Sequence, residues 1–306
     1  MRGRLTSPRR LAGSLPHPRT PQLVAARLRR LLQVASAGVV LVAVASTAAC
    51  AASPVAITPS PTTTPTPAVP TGDGLLVLGA LIPVTGASAA LGPAEIAAVE
   101  LAVRDINEAG GVAGVHVMVF QRDSGDAATS VAEASFDDLV AHQVDAVVGP
   151  SAADLAARLL PRATGARIPM VSPVVVGADL GADPAGWLFG VNGTPAADGG
   201  SEPGLEFARR LMSSDPGLTD LRLGPEAYDA AILVALAATA AGDDGGESIA
   251  RSLSEVSSGG YACSSYGECA AALADGQDID YAGVSGALDL DADGSASATG
   301  SSAVSG

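Results

Sequence analysis

The chain has 306 residues, 32 of them acidic and 17 basic, every basic one an arginine, for a formal charge of −15. That excess of carboxylates disfavours nucleic acid and anionic headgroups as partners, because holding phosphates needs a basic surface. Aromatic residues make up only 3 %, so the core has to be built from Ala, Val, Leu and Ile.

Eight arginines and no acid lie between Arg2 and Arg30, an apolar run follows from Leu31 to Ala49, and Thr47-Ala48-Ala49 leads into Cys50. Basic segment, apolar segment, small residues and cysteine form the order of a lipoprotein export signal. This predicts residues 1–49 as a cleaved signal and Cys50 as the lipidated thiol. The protein is then expected outside the cytoplasm, held to the cell membrane by its lipid alone. The competing reading is an uncleaved membrane helix, since 31–49 nearly reaches the ~20 apolar residues a span requires. Gln33 and the Ala/Ser-rich end of the run speak against it. Losing the signal removes 8 of the 17 arginines and leaves 9 basic against 32 acidic residues, a charge of −23.

Residues 50–73 follow as a Pro/Thr-rich tether, AASPVAITPSPTTTPTPAVPT from Ala51 to Thr71. Repeated Pro suits an extended, semi-rigid spacer. A tail without a spacing role is the alternative, and in both cases folding starts near Gly74. Leu75–Ile82 is a short apolar run ending at Pro83, the pattern of a strand buried on both faces. Ile96, Val99, Val103 and Ile106 recur at helical spacing until Gly110-Gly111 stops the helix. Strands are expected at Val115–Phe120, Val144–Val148 and Ile168–Val171, with helices at Ala127–Ala141 and Ala152–Thr164 between them. Strand–helix alternation with apolar strands implies an α/β fold, a parallel doubly wound sheet with helices on both faces. The order then loosens. Between Gly177 and Gly204 only Trp187–Val191 resembles a strand. Helices are expected at Glu202–Ser213, Pro225–Ala241, Glu247–Val256 and Glu268–Ala274, then a strand at Val284–Leu290. Residues 74–294 form the expected folded domain, and 295–306 a disordered tail.

With Cys50 taking lipid, Cys263 and Cys269 remain as an even pair, which in an oxidising compartment predicts a disulfide. Zinc is the rival, but the only histidines are His17, His116 and His142, and none accompanies the pair. Asp289, Asp291, Asp293 and Gly294 match the first half of a calcium loop, yet Gly300 stands where the bidentate Glu is needed. Catalysis has little support. No serine sits in a nucleophile elbow, and His116 and His142 are expected in a strand and at a helix end. Asp123-Ser-Gly-Asp126 is best taken as a solvated turn with Asp126 as a helix cap. No cofactor and no metal are expected.

In a parallel sheet, ligands bind outside the carboxyl ends of the strands, where loops and helix N-termini gather. The candidate loops are Pro83–Gly92, Gly149–Ala153 and Ser172–Val176. Their backbone N–H groups and small side chains suit a carboxylate or an amino acid backbone. Taken one at a time, each is more simply an ordinary strand–helix turn, and it is the three together behind an export signal that point to a ligand.

LGALIPVTGASAALGPAEIAAVELAVRDINEAGGVAG followed by VDAVVGPSAADLAARLLPRATGARIPMVSP resembles the first lobe of type I periplasmic binding proteins. The leucine/isoleucine/valine receptors of ABC importers are the branch it is most similar to. PEAYDAAILVALAA and CSSYGECAAALADGQDIDYAGVSGALDLDADG are similar to the closing segments of actinobacterial lipoproteins of that family. The resemblance covers nearly all of Gly74–Gly294. It implies a solute-binding lipoprotein that captures a branched-chain amino acid or similar small ligand and delivers it to an importer permease. The residues it places at the ligand are Leu91, Ser151, Ala152, Ala153, Ser172, Val174 and Val176.

The departures are specific. The family has two lobes, and at Phe189–Gly190 this chain lacks on the order of a hundred residues, about one small domain. A first lobe over 74–176 with returning helices over 202–294 is therefore expected, the second lobe being truncated. The family usually presents hydroxyls where Ala153 and Val176 stand, and an aromatic at Leu91. A single-lobe sensor or interaction module that has lost tight binding is the alternative function.

Overall fold

The computed structural model describes residues 71–174, 186–191 and 204–290, all within the unit Thr63–Gly306. The signal, Cys50, nearly all of the tether, Val176, most of 177–204 and the tail from residue 291 lie outside the described residues. So do Asp291, Asp293 and Gly294 of the half calcium loop.

Five parallel strands make the main sheet in the order β2-β1-β3-β4-β5. They are β1 (Val77–Ile82), β2 (Met118–Asp123), β3 (Ala146–Val148), β4 (Met170–Ser172) and β5 (Leu188–Gly190). Every residue of β1, β3, β4 and β5 is buried, which is why these strands read as unbroken apolar runs. Residues of β1 alternate between two cores. Leu78, Ala80 and Ile82 face α1 (Gly92–Glu108) and α5 (Gly224–Ala241). Val77 and Leu81 face α2 (Val131–Ala141) and α3 (Ala153–Ala166). The sheet is thus covered on both sides, as the strand–helix alternation requires.

Helix α5 is buried all round from Gly224 to Ala238. Its alanines meet Ala94, Ala97, Ala98 and Ala102 of α1, small side chains that let the two helices pack closely. Further helices are α4 (Leu205–Ser214), α6 (Gly246–Ser252) and α7 (Tyr266–Ala274). Asp105 of α1 accepts from Arg210 of α4 at 2.6 Å and from the Tyr228 hydroxyl of α5 at 2.5 Å, joining three helices. At the amino end of the sheet, Asp243 and Asp244 accept from the Gly72 and Gly74 N–H groups at 3.0 and 3.1 Å, fixing the start of the folded domain.

Several expectations require correction. The second strand lies at Met118–Asp123, three residues beyond the expected start, because Val115 closes a tight turn on Val112. His116 therefore precedes the strand. As an edge strand, β2 keeps partial solvent contact, so Gln121, Arg122 and Asp123 continue it at little cost. Helix α2 begins at Val131, because Asp126 folds Ala128 and Thr129 into a turn instead of capping a helix. The strand expected at Val284–Leu290 is a hairpin, β7 (Ile279–Gly283) and β8 (Gly286–Ala287), turning at Val284-Ser285. β7 also pairs in parallel with β6 (Tyr261–Cys263), giving a small three-stranded sheet. The alternation of Ile279, Asp280 and Tyr281 carries that strand: its outer residues are buried and Asp280 is half-buried.

Candidate functional site

The order β2-β1-β3 reverses direction at β1 and β3, so the chain leaves these neighbours toward opposite faces of the sheet. A crevice opens outside their carboxyl ends at such a switch point. The loops after β1, β3 and β4 are adjacent there, because these strands are neighbours in the sheet.

Each loop is held firmly. Asp123, at the end of β2, accepts from Val84 N–H at 2.9 Å, Thr85 N–H at 3.1 Å and the Thr85 hydroxyl at 2.5 Å. These donors hold its carboxyl below the ordinary range against the opposing effect of burial. Asp126 accepts from Ala87 N–H at 3.3 Å. The Asp123–Asp126 turn is thus the strut of the first loop. Gly149 ends β3 with φ +103°, and a Cβ there would lie 2.2 Å from the Leu81 carbonyl oxygen, so the loop can cross β1 only as glycine.

The expected ligand contacts fall into two groups. Leu91 is the N-cap of α1, and Ala152 is the N-cap of α3 with Ala153 its first residue. These three and Val174 are half-buried and border the crevice loops. Ser151 and Ser172 are buried, and their hydroxyls are engaged internally. The Ser172 hydroxyl donates to the Pro150 carbonyl at 2.7 Å and accepts from Val174 N–H at 3.3 Å. Ser151 donates to Glu95. The crevice rim therefore offers backbone groups and small apolar side chains, with Asp154 exposed in the first turn of α3.

Glu95 and Glu226 escape a reading by pattern. Both stand in first helical turns, on α1 and α5, and both are fully buried. Burial pushes the Glu95 carboxyl up to about 8, with the Ser151 hydrogen bond opposing and the Glu226 charge adding. The only signal in the sequence is an acid inside an apolar run, Ala94-Glu-Ile-Ala-Ala-Val99, and that equally fits an exposed helix face.

Away from the crevice, the sulfurs of Cys263 and Cys269 are joined at 2.05 Å, with Cα atoms 5.4 Å apart. Among the described residues, no group of acids, histidines and cysteines is arranged to hold a metal ion, and no helix is long and apolar enough to cross a membrane.

Residues 76–210 match the periplasmic binding protein family. The match takes in the whole of the five-stranded parallel sheet described above. Solved structures share the fold at low identity. The substrate-binding protein LivJ of a branched-chain amino acid transporter from Streptococcus pneumoniae, in complex with isoleucine, is 16 % identical. The match covers 72 % of this chain and 93 % of that one with a TM-score of 0.56. The leucine-binding protein LivK from Thermotoga maritima is 13 % identical over 72 % of this chain and 93 % of that one, with a TM-score of 0.53. An ABC transporter solute-binding protein from R. palustris, in complex with benzoate, is 12 % identical over 73 % of this chain and 91 % of that one, with a TM-score of 0.51. No curated protein matches the chain in sequence.

Proposed function

We propose that the chain is the solute-binding lipoprotein of an ABC importer, anchored through Cys50. In this role it captures a branched-chain amino acid or a similar small carboxylate at the β1/β3 crevice and presents it to the permease. The observation that carries this is the gathering of three braced loops and the N-termini of α1 and α3 at the switch point, where backbone N–H groups suit an anionic group. Isoleucine and benzoate, the ligands of two structures with this fold, have a carboxylate in common. Asp154 beside the α3 N-terminus opposes an anion and weakens the site.

Affinity in two-lobed receptors comes from enclosing the ligand, so that most of its surface is buried and both sides supply polar partners. Here β5 ends at Gly190 and α4 starts at Leu205, and the described residues contribute a single main sheet. An open shelf of this kind should hold leucine, isoleucine or valine no tighter than about millimolar, roughly −4 kcal/mol. Calorimetry of the purified protein against these amino acids, benzoate and leucinamide tests this. Weak binding of the carboxylates with none of the amide supports the reading, and micromolar affinity on a monomer overturns the open shelf. A single-lobe sensor or interaction module is the second reading, favoured by the inward-turned hydroxyls of Ser151 and Ser172. Silence toward every carboxylate would decide for it.

A further inference from the structure

At the amino end of the sheet, opposite the crevice, a cavity of about 130 Å³ lies between the C-terminus of α5, the turn joining α1 to β2, and Gly74 ahead of β1. Val112, Ala113 and Ala238 give it apolar walls, and Thr239, Asp243 and Asp244 line its polar side. An engineered cavity of about 150 Å³ holds benzene, so this space suits about five non-hydrogen atoms.

The charge around it is of one sign. The carbonyl end of α5 is the negative pole of an 18-residue helix, and no basic residue stands in its last turn to offset it. Asp243 and Asp244 follow directly. With Asp145 they accept from N–H groups of one short segment: Gly72 donates to Asp243 at 3.0 Å, Gly74 to Asp244 at 3.1 Å and Val77 to Asp145 at 2.8 Å. Three carboxylates are thereby drawn along a single stretch of backbone. Asp244 is only 5 % exposed; its Oδ1 takes the Gly74 N–H, and its Oδ2 has no hydrogen-bond partner. Leaving a buried carboxylate oxygen unpartnered is costly.

The chain does not answer this charge itself. No ion pair of the described residues involves Asp145, Asp243 or Asp244. Arg167, whose carbonyl packs against Gly246, gives its guanidinium to Glu247 at 3.3 Å. Burial pushes the Asp145 carboxyl up to about 7, the Val77 N–H opposing and the charges of Asp244, Asp73 and Asp243 adding. The sequence contains no lysine, so an ammonium side chain at this place has to come from another molecule.

We propose that this cavity binds a small primary alkylammonium, with its alkyl chain against Val112, Ala113 and Ala238 and its charged head toward Asp243, Asp244 and the carbonyl end of α5. The head supplies the charge the acids lack, and of its three donors one has the free oxygen of Asp244 to meet. Among the described residues no group of acids is arranged to hold a metal ion, and the apolar walls suit an alkyl chain. Free amines and lysine side chains share this chemistry, and the volume admits the butyl chain of either. The site lies at the other end of the sheet from the β1/β3 crevice and stands whether or not the crevice takes a ligand.

The test titrates the purified full-length chain with n-butylammonium, following the melting temperature and the amide NMR shifts of residues 112–114 and 238–244. A saturable rise in melting temperature is expected, with the shifts confined to those residues. 1-Butanol, of the same length and without the charge, should give neither. Nα-acetyl-lysine methylamide then tells the sources apart: its binding extends the site to lysine side chains, and its exclusion restricts the site to free amines. Asp244→Asn keeps an oxygen for the Gly74 N–H and removes the charge, and it should weaken binding about tenfold. Asp243→Asn, at a half-buried position, should weaken it less and carries the test if Asp244→Asn fails to fold. Equal responses to 1-butanol and n-butylammonium, shifts centred on the crevice loops, or unchanged affinity in both variants overturn the proposal.

Discussion

Asp229 shows how much one side chain can organise. It is fully buried on α5 and accepts from the Tyr281 hydroxyl at 2.8 Å, Val284 N–H at 3.0 Å, Ser285 N–H at 2.7 Å and the Ser285 hydroxyl at 2.5 Å. Burial pushes its carboxyl up to about 6, and the Ser285, Tyr281 and Val284 donors hold it from going higher. The β7–β8 turn is thereby pinned to the central helix. Asp229→Ala strands these donors in the interior and is expected to cost about 3–5 kcal/mol, read as a lower midpoint in urea denaturation. Asp229→Asn, which keeps an acceptor, should cost less. None of this is visible along the chain: in Pro225-Glu-Ala-Tyr-Asp229 the helical period marks Tyr228, Ile232 and Leu236, while the partners of Asp229 lie more than fifty residues away. Glu95, Glu226 and Asp229 share this character. Each is an acid whose burial depends on what other elements bring to it.

Among the elements, the strands buried on both faces were legible, and the extent of the partly exposed edge strand β2 was not. β1 and β4 announce themselves because both sides need apolar residues, whereas β2 runs on through Gln121-Arg-Asp123, where solvent reaches the sheet. The small sheet of β6, β7 and β8 was missed because its strands are short and interrupted by Asp278, Asp280 and Gly283. Beside it, Cys263 ends β6 and Cys269 lies within α7, so a disulfide ties the strand to the helix that follows. Closing so short a loop is worth roughly 2–2.5 kcal/mol in the chain-entropy model. Replacing both cysteines by Ser should lower the unfolding free energy by about that amount. In protein isolated from outside the cytoplasm, neither thiol should take up an alkylating reagent until a reductant is added. Labelling of both without reductant would remove the bridge.

On the scale of the whole molecule, three terms set what the protein can do: where it is held, what it encloses, and how charged it is. Lipidation at Cys50 is the testable part of the first. Cys50→Ser should leave the signal uncleaved and abolish incorporation of labelled palmitate, and unchanged incorporation in that variant would refute the assignment. The large acidic excess is carried by a fold whose main sheet is apolar, with most carboxylates at loop and helix surfaces.

The sequence by itself determined the alternation of strands and helices, because this depends on periodicities within a few residues; an export signal and a tether are what the same local patterns lead one to expect ahead of it. It also located the loops of the crevice, since a strand ending in Pro83 or in Gly149-Pro150 carries its own boundary. Tertiary structure alone decided which side chains those loops present. Ser151 and Ser172 have the same chemistry whether they face a ligand or the interior, and only the arrival of Glu95 and of the Pro150 carbonyl turns them inward. A hydroxyl bonds whichever partner folding brings closest, and that partner is set by the packing of distant elements, not by its neighbours in the chain.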